Sequence, residues 1–382
     1  MMRIAIDARI AHYTGAGIGQ YAIHLAQALA RLDRTNQYVL LQSRKDRRTL
    51  VDEPHVQRRS IWTPSHHRWE QEALAAEFKL FPALRRLNLD LLHSTDFIPP
   101  LRLRGFKSVI TVHDLAFLRW PHFLTEESAR YYGQVEAAVE RADRIIAVSE
   151  STKNDLVKLL GAPRDKITVV HEAADPLYRP MTRAEALASI GSKFPLPDRF
   201  ILFVSTIEPR KNIATLLLAY RRLLDSYKSD VGLVLAGATG WLADQIFEKV
   251  EQLDLQRHVT FLGRVQNGDL LYLYNLACCL AHPAHYEGFG LPPLEAMACG
   301  TPVVVSNVSS LPEVVGDAAL LIDPNDDEAL AVALHRILSD ESLRDSLRTK
   351  GLARARTFSW ERTAQETLAV YQAAWQQPGD AL

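Results

Sequence analysis

Cysteine is scarce in this chain. Cys278, Cys279 and Cys299 are the only three in 382 residues. The count is odd, and no Cys-x2-Cys pair or matching His spacing accompanies it, so neither a disulfide framework nor a zinc site is expected. Buried free thiols in a reducing cytosol fit this usage. Long apolar runs are also missing. None approaches the roughly 20 residues that a membrane-spanning helix needs. Met1–Asp7 enters a strand pattern directly, without the features of a signal peptide. Net charge is only −1, so the global footprint of nucleic-acid binding is absent. There is no low-complexity segment and no visible internal repeat.

What is present belongs to a globular protein: 47% hydrophobic and 23% charged residues. The length exceeds one ordinary core and implies two domains. The charge is uneven. Residues 1–180 carry 26 Lys and Arg against 21 Asp and Glu, or +5; the remainder carries 18 against 24, or −6.

Short β-rich runs alternate with helical patterns along the whole chain, which implies βαβ units and parallel sheets. In the first half, strands are expected at Arg3–Asp7, Tyr38–Leu41, Ser60–Trp62, Leu89–His93, Ser108–Val112, Ile145–Val148 and Ile167–Val170. Helices are expected at Gln20–Leu32, Trp69–Phe81 and Glu127–Arg141. The proline-rich, polar run His171–Arg183 reads as an interdomain connection. A second series follows, with strands at Phe200–Val204, Gly232–Ala236, Val259–Leu262, Cys279–His282, Pro302–Ser306 and Ala319–Ile322. Beyond it, Ser359 is a candidate N-cap. Trp360, Ala364, Leu368, Tyr371 and Trp375 form an apolar face on a last helix that requires a partner surface.

The chain is organised around residues 285–305. An apolar run ends in a loop holding Gly288 and Gly290; a short helix starts at Pro292 and stops at Gly300, before another strand. Such a unit offers backbone N–H groups and a positive dipole end to an anion. Glu287 in the loop and Glu295 on the helix are suited to accept hydrogen bonds from hydroxyl groups; spacing alone leaves ordinary surface charges as an equal reading. Ser205-Thr206-Ile207-Glu208-Pro209-Arg210-Lys211-Asn212 follows the first strand of the second series. Arg210 and Lys211 beside a helix start make a diphosphate clamp. His113 and Asp114 follow a strand, where ligand sites collect. Unaided, His113 reads as a structural histidine satisfied by a backbone carbonyl. Thr14-Gly15-Ala16-Gly17-Ile18-Gly19 lies too far from its strand, with no acidic residue ending the next one, to be a dinucleotide fingerprint.

The run E-G-F-G-L-P-P-L-E-A-M-A-C-G-T-P-V, Glu287 to Val303, resembles the signature of retaining GT-B glycosyltransferases of family 4. H-D-L-A-F-L-R-W-P and E-P-R-K-N resemble that family's histidine and phosphate-binding motifs, most closely those of bacterial mannosyltransferases of polysaccharide assembly. The resemblance implies an α/β fold of two Rossmann-like doubly wound domains facing a cleft. Residues 1–175 would bind the acceptor, residues 184–357 the nucleotide-sugar donor, and helix 359–376 would cross back to the first domain. By position, Glu287 would approach the transferred sugar and Glu295 the ribose. The amides of Gly288, Phe289, Gly290 and Leu291 would face the sugar and diphosphate. Arg210 and Lys211 would neutralise the leaving diphosphate, with Ser205 or Thr206 adding a hydroxyl. His113 would meet the sugar's 6-hydroxyl, and Asp114 would orient His113 or contact the acceptor. Gly15 and Gly17 would lie over the diphosphate and acceptor, Gly237 near the nucleotide, and Val265 at the base.

No aspartate has another aspartate two residues on, so the Asp-x-Asp metal motif of comparable enzymes is missing. With two cationic side chains in its place, no metal or other cofactor is expected. The donor implied is GDP-mannose, moved with retention to a glycan or lipid-linked glycan; family members using UDP-sugars share these motifs. An epimerase or a non-catalytic sugar-nucleotide-binding partner are rivals that the intact Arg210, Lys211, Glu287 and Glu295 argue against. A cytoplasmic location follows. Arg44, Lys45, Arg47, Arg48, Arg58, Arg59, Arg85, Arg86, Arg102, Arg104 and Lys107 suit either peripheral contact with an anionic leaflet or a plain solvated surface.

Overall fold

The computed structural model describes residues 1–13, 17–61, 87–97, 105–121, 126, 129 and 132–376. The expected helix at Trp69–Phe81, together with Trp62, Gly15, Arg85, Arg86, Arg102 and Arg104, lies outside them. The described chain divides into two compact units. One comprises Met1–Glu172 with Ser359–Leu382, the other Ala173–Phe358. Residues 173–183, read from sequence as a connection, belong to the second unit.

The first unit holds seven strands: β1 (Arg3–Asp7), β2 (Gln37–Ser43), β3 (Val56–Ile61), β4 (Leu91–Ser94), β5 (Lys107–Val112), β6 (Arg144–Ala147) and β7 (Ile167–Val169). Their order is β3-β2-β1-β4-β5-β6-β7, and every pairing is parallel. β1, β4 and β5 are buried along all but the first residue of β1 and of β5, as strands covered on both faces must be. β3 starts four residues before the expected run. Its sequence VQRRSI leaves four successive residues exposed at the sheet edge, where no core demands an apolar pattern.

Helix Trp360–Gln376 belongs to this unit and packs on helix Gly17–Leu32 and on β5 and β6. Trp360 is buried, stacked on His24 at 5.1 Å and 6.0 Å from Tyr21. Tyr371 is fully buried. Its hydroxyl lies 2.6 Å from His93 Nδ1, and His93 Nε2 is 2.8 Å from the Thr111 hydroxyl, itself 3.0 Å from the Tyr21 hydroxyl. This buried chain ties the terminal helix to β4, β5 and helix Gly17–Leu32. The expected face is corrected at its end: Trp375 is 47% exposed, and Thr367 and Ala374 are buried instead of Leu368 and Trp375.

The second unit holds β8 (Phe200–Val204), β9 (Gly232–Ala236), β10 (Val259–Gly263), β11 (Cys279–His282), β12 (Val303–Ser306) and β13 (Leu320–Ile322). The order is β10-β9-β8-β11-β12-β13, again all parallel. The chain therefore winds one way from β8 and the other way from β11. The loops leaving those two neighbours diverge and leave a crevice at their carboxyl ends, where ligands bind in such sheets. Helix Ile213–Tyr227 packs on helix Asp327–Ser339, and the core runs through Ile201, Phe203, Leu216, Leu233, Val304 and Leu334.

Candidate active site

The loop after β8 and the loop after β11 are tied to each other by hydrogen bonds to backbone carbonyls. Asn212 adopts a left-handed conformation, φ 58°, and its side-chain amide donates to the carbonyls of Pro283 at 2.9 Å and Pro324 at 2.6 Å. The His285 N–H donates to the Arg210 carbonyl at 2.9 Å. Three serines, the last residue of β12 and two in the loop after it, hold the other side. Ser306 donates to the Ala284 carbonyl. Ser309 accepts the Glu287 N–H at 3.0 Å, and Ser310 donates to the carbonyls of Glu287 and Phe289 at 2.9 and 2.7 Å.

This framework brings Arg210, Lys211 and Glu287 together. Lys211 Nζ lies 2.6 Å from Glu287 Oε1, with 6% and 8% of the two residues exposed. His282, the last residue of β11 and fully buried, places Nε2 2.7 Å from the same oxygen. Arg210 Nη1 is 3.8 Å from Glu287 Oε2 and donates to the Tyr286 carbonyl at 3.3 Å; Nη2 and Nε reach Glu208 Oε1 at 2.9 and 3.1 Å. Burial alone would raise the Glu287 pKa, but Lys211, His282 and Arg210 overrule it and hold the carboxyl far below its usual range. The site's carboxylate is therefore locked in its charged form, and Lys211 is committed to it rather than standing open.

Downstream, Gly290 at φ +112° makes the turn into helix Leu291–Ala298, a conformation that excludes a side chain at low cost. The helix starts one residue earlier than expected, with Pro292 and Pro293 in its first turn. The Phe289 ring is buried edge-on against Phe358, 5.7 Å between centroids, so it serves packing. Glu295 is half-buried and accepts the Tyr274 hydroxyl at 2.7 Å, while burial and this carboxylate push the Tyr274 phenol well above its ordinary pKa. Ser205 is half-buried, Thr206 exposed, and Val265 half-buried beyond β10. Gly237 has a structural cause: a Cβ there would sit 1.7 Å from the Ser205 carbonyl oxygen, so the loops after β8 and β9 pass backbone to backbone.

In the first unit, His113 follows β5. Its Nδ1 lies 2.8 Å from Glu172 Oε1 and its Nε2 2.9 Å from the Thr95 carbonyl oxygen. Both partners accept, so both ring nitrogens carry protons and the ring is an imidazolium. Burial opposes that charge, yet the Glu172 carboxylate prevails and the His113 pKa stands above its ordinary value. The Tyr21 ring meets it edge-on at 4.8 Å. Asp114 does not orient His113; its Oδ1 accepts the Ala116 N–H at 3.0 Å, and Glu172 takes the orienting role. Gly17 opens helix Gly17–Leu32, which starts three residues before the expected Gln20.

Sequence reasoning missed Glu172 and His282. Glu172 stands just past the carboxyl end of β7, and His282 ends an otherwise apolar strand five residues before Glu287; both are edge positions that strand ends alone could have flagged.

Residues 15–176 match the family described as Glycosyltransferase Family 4, and residues 189–354 match Glycosyl transferases group 1. Over 385 residues the chain is 34% identical to the O-antigen chain mannosyltransferase B of Escherichia coli, covering 97% of this chain and 99% of that protein. It is also 34% identical over 264 residues to the serotype-specific mannosyltransferase WbdA of Escherichia coli, a match covering 68% of this chain and 32% of that longer one. Among solved structures, sucrose-phosphate synthase of Thermosynechococcus elongatus aligns with a TM-score of 0.78 at 24% identity, over 98% of this chain and 99% of that one. WaaG, a glycosyltransferase involved in lipopolysaccharide biosynthesis, aligns with a TM-score of 0.74 at 16% identity, over 98% and 100%. These two likenesses bear on the fold, which is that of the GT-B class.

Proposed function

Because this chain belongs to glycosyltransferase family 4 and is a glycosyltransferase of GT-B fold, we propose that it moves mannose from GDP-mannose, with retention, to a glycan or lipid-linked glycan in polysaccharide synthesis. The observation that carries the reading is the Arg210–Lys211–Glu287 cluster at the carboxyl edge of β8 and β11. Mannose rests on the 34% identity to the O-antigen mannosyltransferase over nearly the full length of both chains.

Departure of a nucleoside diphosphate develops negative charge, and fixed cations beside a water-poor loop are the way a protein stabilises it. Arg210 and Lys211 supply two such cations. They take the place a divalent ion fills elsewhere, so the proposed reaction needs no metal. Glu287 is a poor general base, because a carboxylate this strongly held in its charged form has little affinity for a proton. Its role is to hold the sugar through hydroxyl groups. The acceptor proton then passes to a departing phosphate oxygen as the acceptor attacks the same face, which retains configuration. Lys211 exchanges its Glu287 partner for the diphosphate when donor binds. No helix among the described residues is long and apolar enough to cross a membrane; any contact with a lipid-linked acceptor is peripheral, from the cytoplasm.

Calorimetry with GDP, UDP, ADP, GDP-mannose and UDP-glucose tests the donor. Selective binding of GDP and GDP-mannose is expected. Preference for UDP or ADP overturns the GDP-mannose reading while leaving a glycosyltransferase.

A further inference from the structure

We propose that His282 is a positioning residue for the transfer reaction, the anchor that keeps Glu287 in place when Lys211 leaves it for the diphosphate. The proposal rests on the reading of Glu287 as the sugar-binding carboxylate. Two donors converge on Glu287 Oε1, Lys211 Nζ at 2.6 Å and His282 Nε2 at 2.7 Å. They differ in freedom. Lys211 extends on a four-carbon stem from the short turn Pro209–Lys211, and its ammonium can swing to a new anion. His282 cannot. It is fully buried in β11, between β8 and β12, with its ring nearly parallel to Phe203, 5.9 Å between centroids and 15° between planes.

The other ring nitrogen shows what the histidine is there for. Nδ1 is buried and has no hydrogen-bond partner among the described residues. An imidazole with one unsatisfied nitrogen costs more in a core than Leu or Phe of similar size. The position nevertheless holds histidine, and the one contact that uses its polarity is Glu287. Because Glu287 is ionised and accepts, Nε2 carries a proton and donates it. The ring thus gives Glu287 a second donor, held in the strand, that leaves Arg210 and Lys211 for the donor phosphates. When the ammonium turns away, Oε1 keeps a hydrogen bond and the carboxylate keeps its direction.

The test compares His282→Gln, His282→Asn and His282→Leu with wild type, using the donor that calorimetry selects. The Gln amide reaches the position of Nε2; the Asn amide stops near Nδ1, and Leu fills the space without a donor. Loss of an orienting partner of this kind lowers activity by about 10- to 100-fold at comparable sites. That fall is expected in kcat for the Asn and Leu variants, with donor KM within about threefold and the Gln variant near wild type. A structural role would instead track thermal stability and would not separate Gln from Asn. Wild-type kcat in the Asn and Leu variants, or equal losses in all three, overturns the proposal. Imidazole nitrogen spectra of the wild-type chain provide a readout that needs no substrate: His282 must carry a proton at Nε2, and a bare Nε2 overturns the proposal. Calorimetry judges the donor; the Gln–Asn contrast and the spectrum judge His282.

Discussion

Removing either member of the Lys211–Glu287 pair should harm the second unit more than removing both charges. Consider Lys211→Met, Glu287→Gln and the double variant, each chosen to keep volume. Both side chains are buried and their charged atoms are 2.6 Å apart. Breaking a buried pair by deleting one partner costs about 3–5 kcal/mol, because the other charge stays in the core uncompensated. Lys211→Met belongs at the low end, about 3 kcal/mol, since Glu287 keeps His282 and has Arg210 at 3.8 Å. Glu287→Gln leaves the Lys211 ammonium with a neutral acceptor in place of a carboxylate, and should cost at least as much. The double variant leaves no stranded charge and should cost less than either single change, giving a coupling of about 3 kcal/mol or more. Native-state hydrogen exchange of the β8 and β11 amides measures this opening locally, free of transitions in the other unit. Turnover should fall by orders of magnitude in all three proteins, so the double variant regains stability without activity. Additive costs would refute the shared buried pair, and near wild-type turnover in Lys211→Met would remove Lys211 from the phosphate site.

His93 sets a pH limit on the first unit. Burial, assisted by the nearby His113, pushes its pKa from 6.5 down to about 3. The folded ring stays neutral while the unfolded one takes a proton, so stability is lost as pH falls from 6.5 toward 3, by about 2–3 kcal/mol between pH 7 and 4.5. His93→Gln should flatten that slope in acid unfolding of the first unit; an unchanged slope refutes the assignment. Trp360→Ala should cost about 3–5 kcal/mol, whereas exposed Trp375→Ala should stay within about 0.5 kcal/mol, and equal shifts in melting temperature would mean that the terminal helix packs by another face. EDTA should leave turnover unchanged; its abolition would reverse the proposed metal independence.

The fold was legible where both faces of an element are buried. FILFV and CLAH of β8 and β11 have their expected bounds. Legibility failed where burial is one-sided or polar. At the sheet edge, β3 hides its strand character behind exposed Gln57, Arg58, Arg59 and Ser60. On the terminal helix, the buried series Trp360, Ala364, Thr367, Tyr371, Ala374 steps by four and three in turn, the narrow stripe of a helix laid along a partner. Following bulk instead of period selected Leu368 and Trp375, because Thr367 and Ala374 do not look like core.

The site divides along the same line. Arg210, Lys211 and Glu287 stand out because charge in a glycine- and proline-marked loop is visible without a structure. Their partners do not. Lys211 and Glu287 are 76 residues apart, and His113 and Glu172 are 59 apart. Only strand order puts β11 beside β8 and so makes their loops neighbours. His282 is hidden further, as one polar atom at the end of an apolar strand. A clamp read from sequence is therefore a list of charges, and topology decides which of them neutralise one another before a substrate arrives. Here the cations proposed for the diphosphate already hold the carboxylate proposed for the sugar. Binding the donor must then be an exchange of partners, and whatever holds Glu287 through that exchange belongs to the mechanism as much as the charges do.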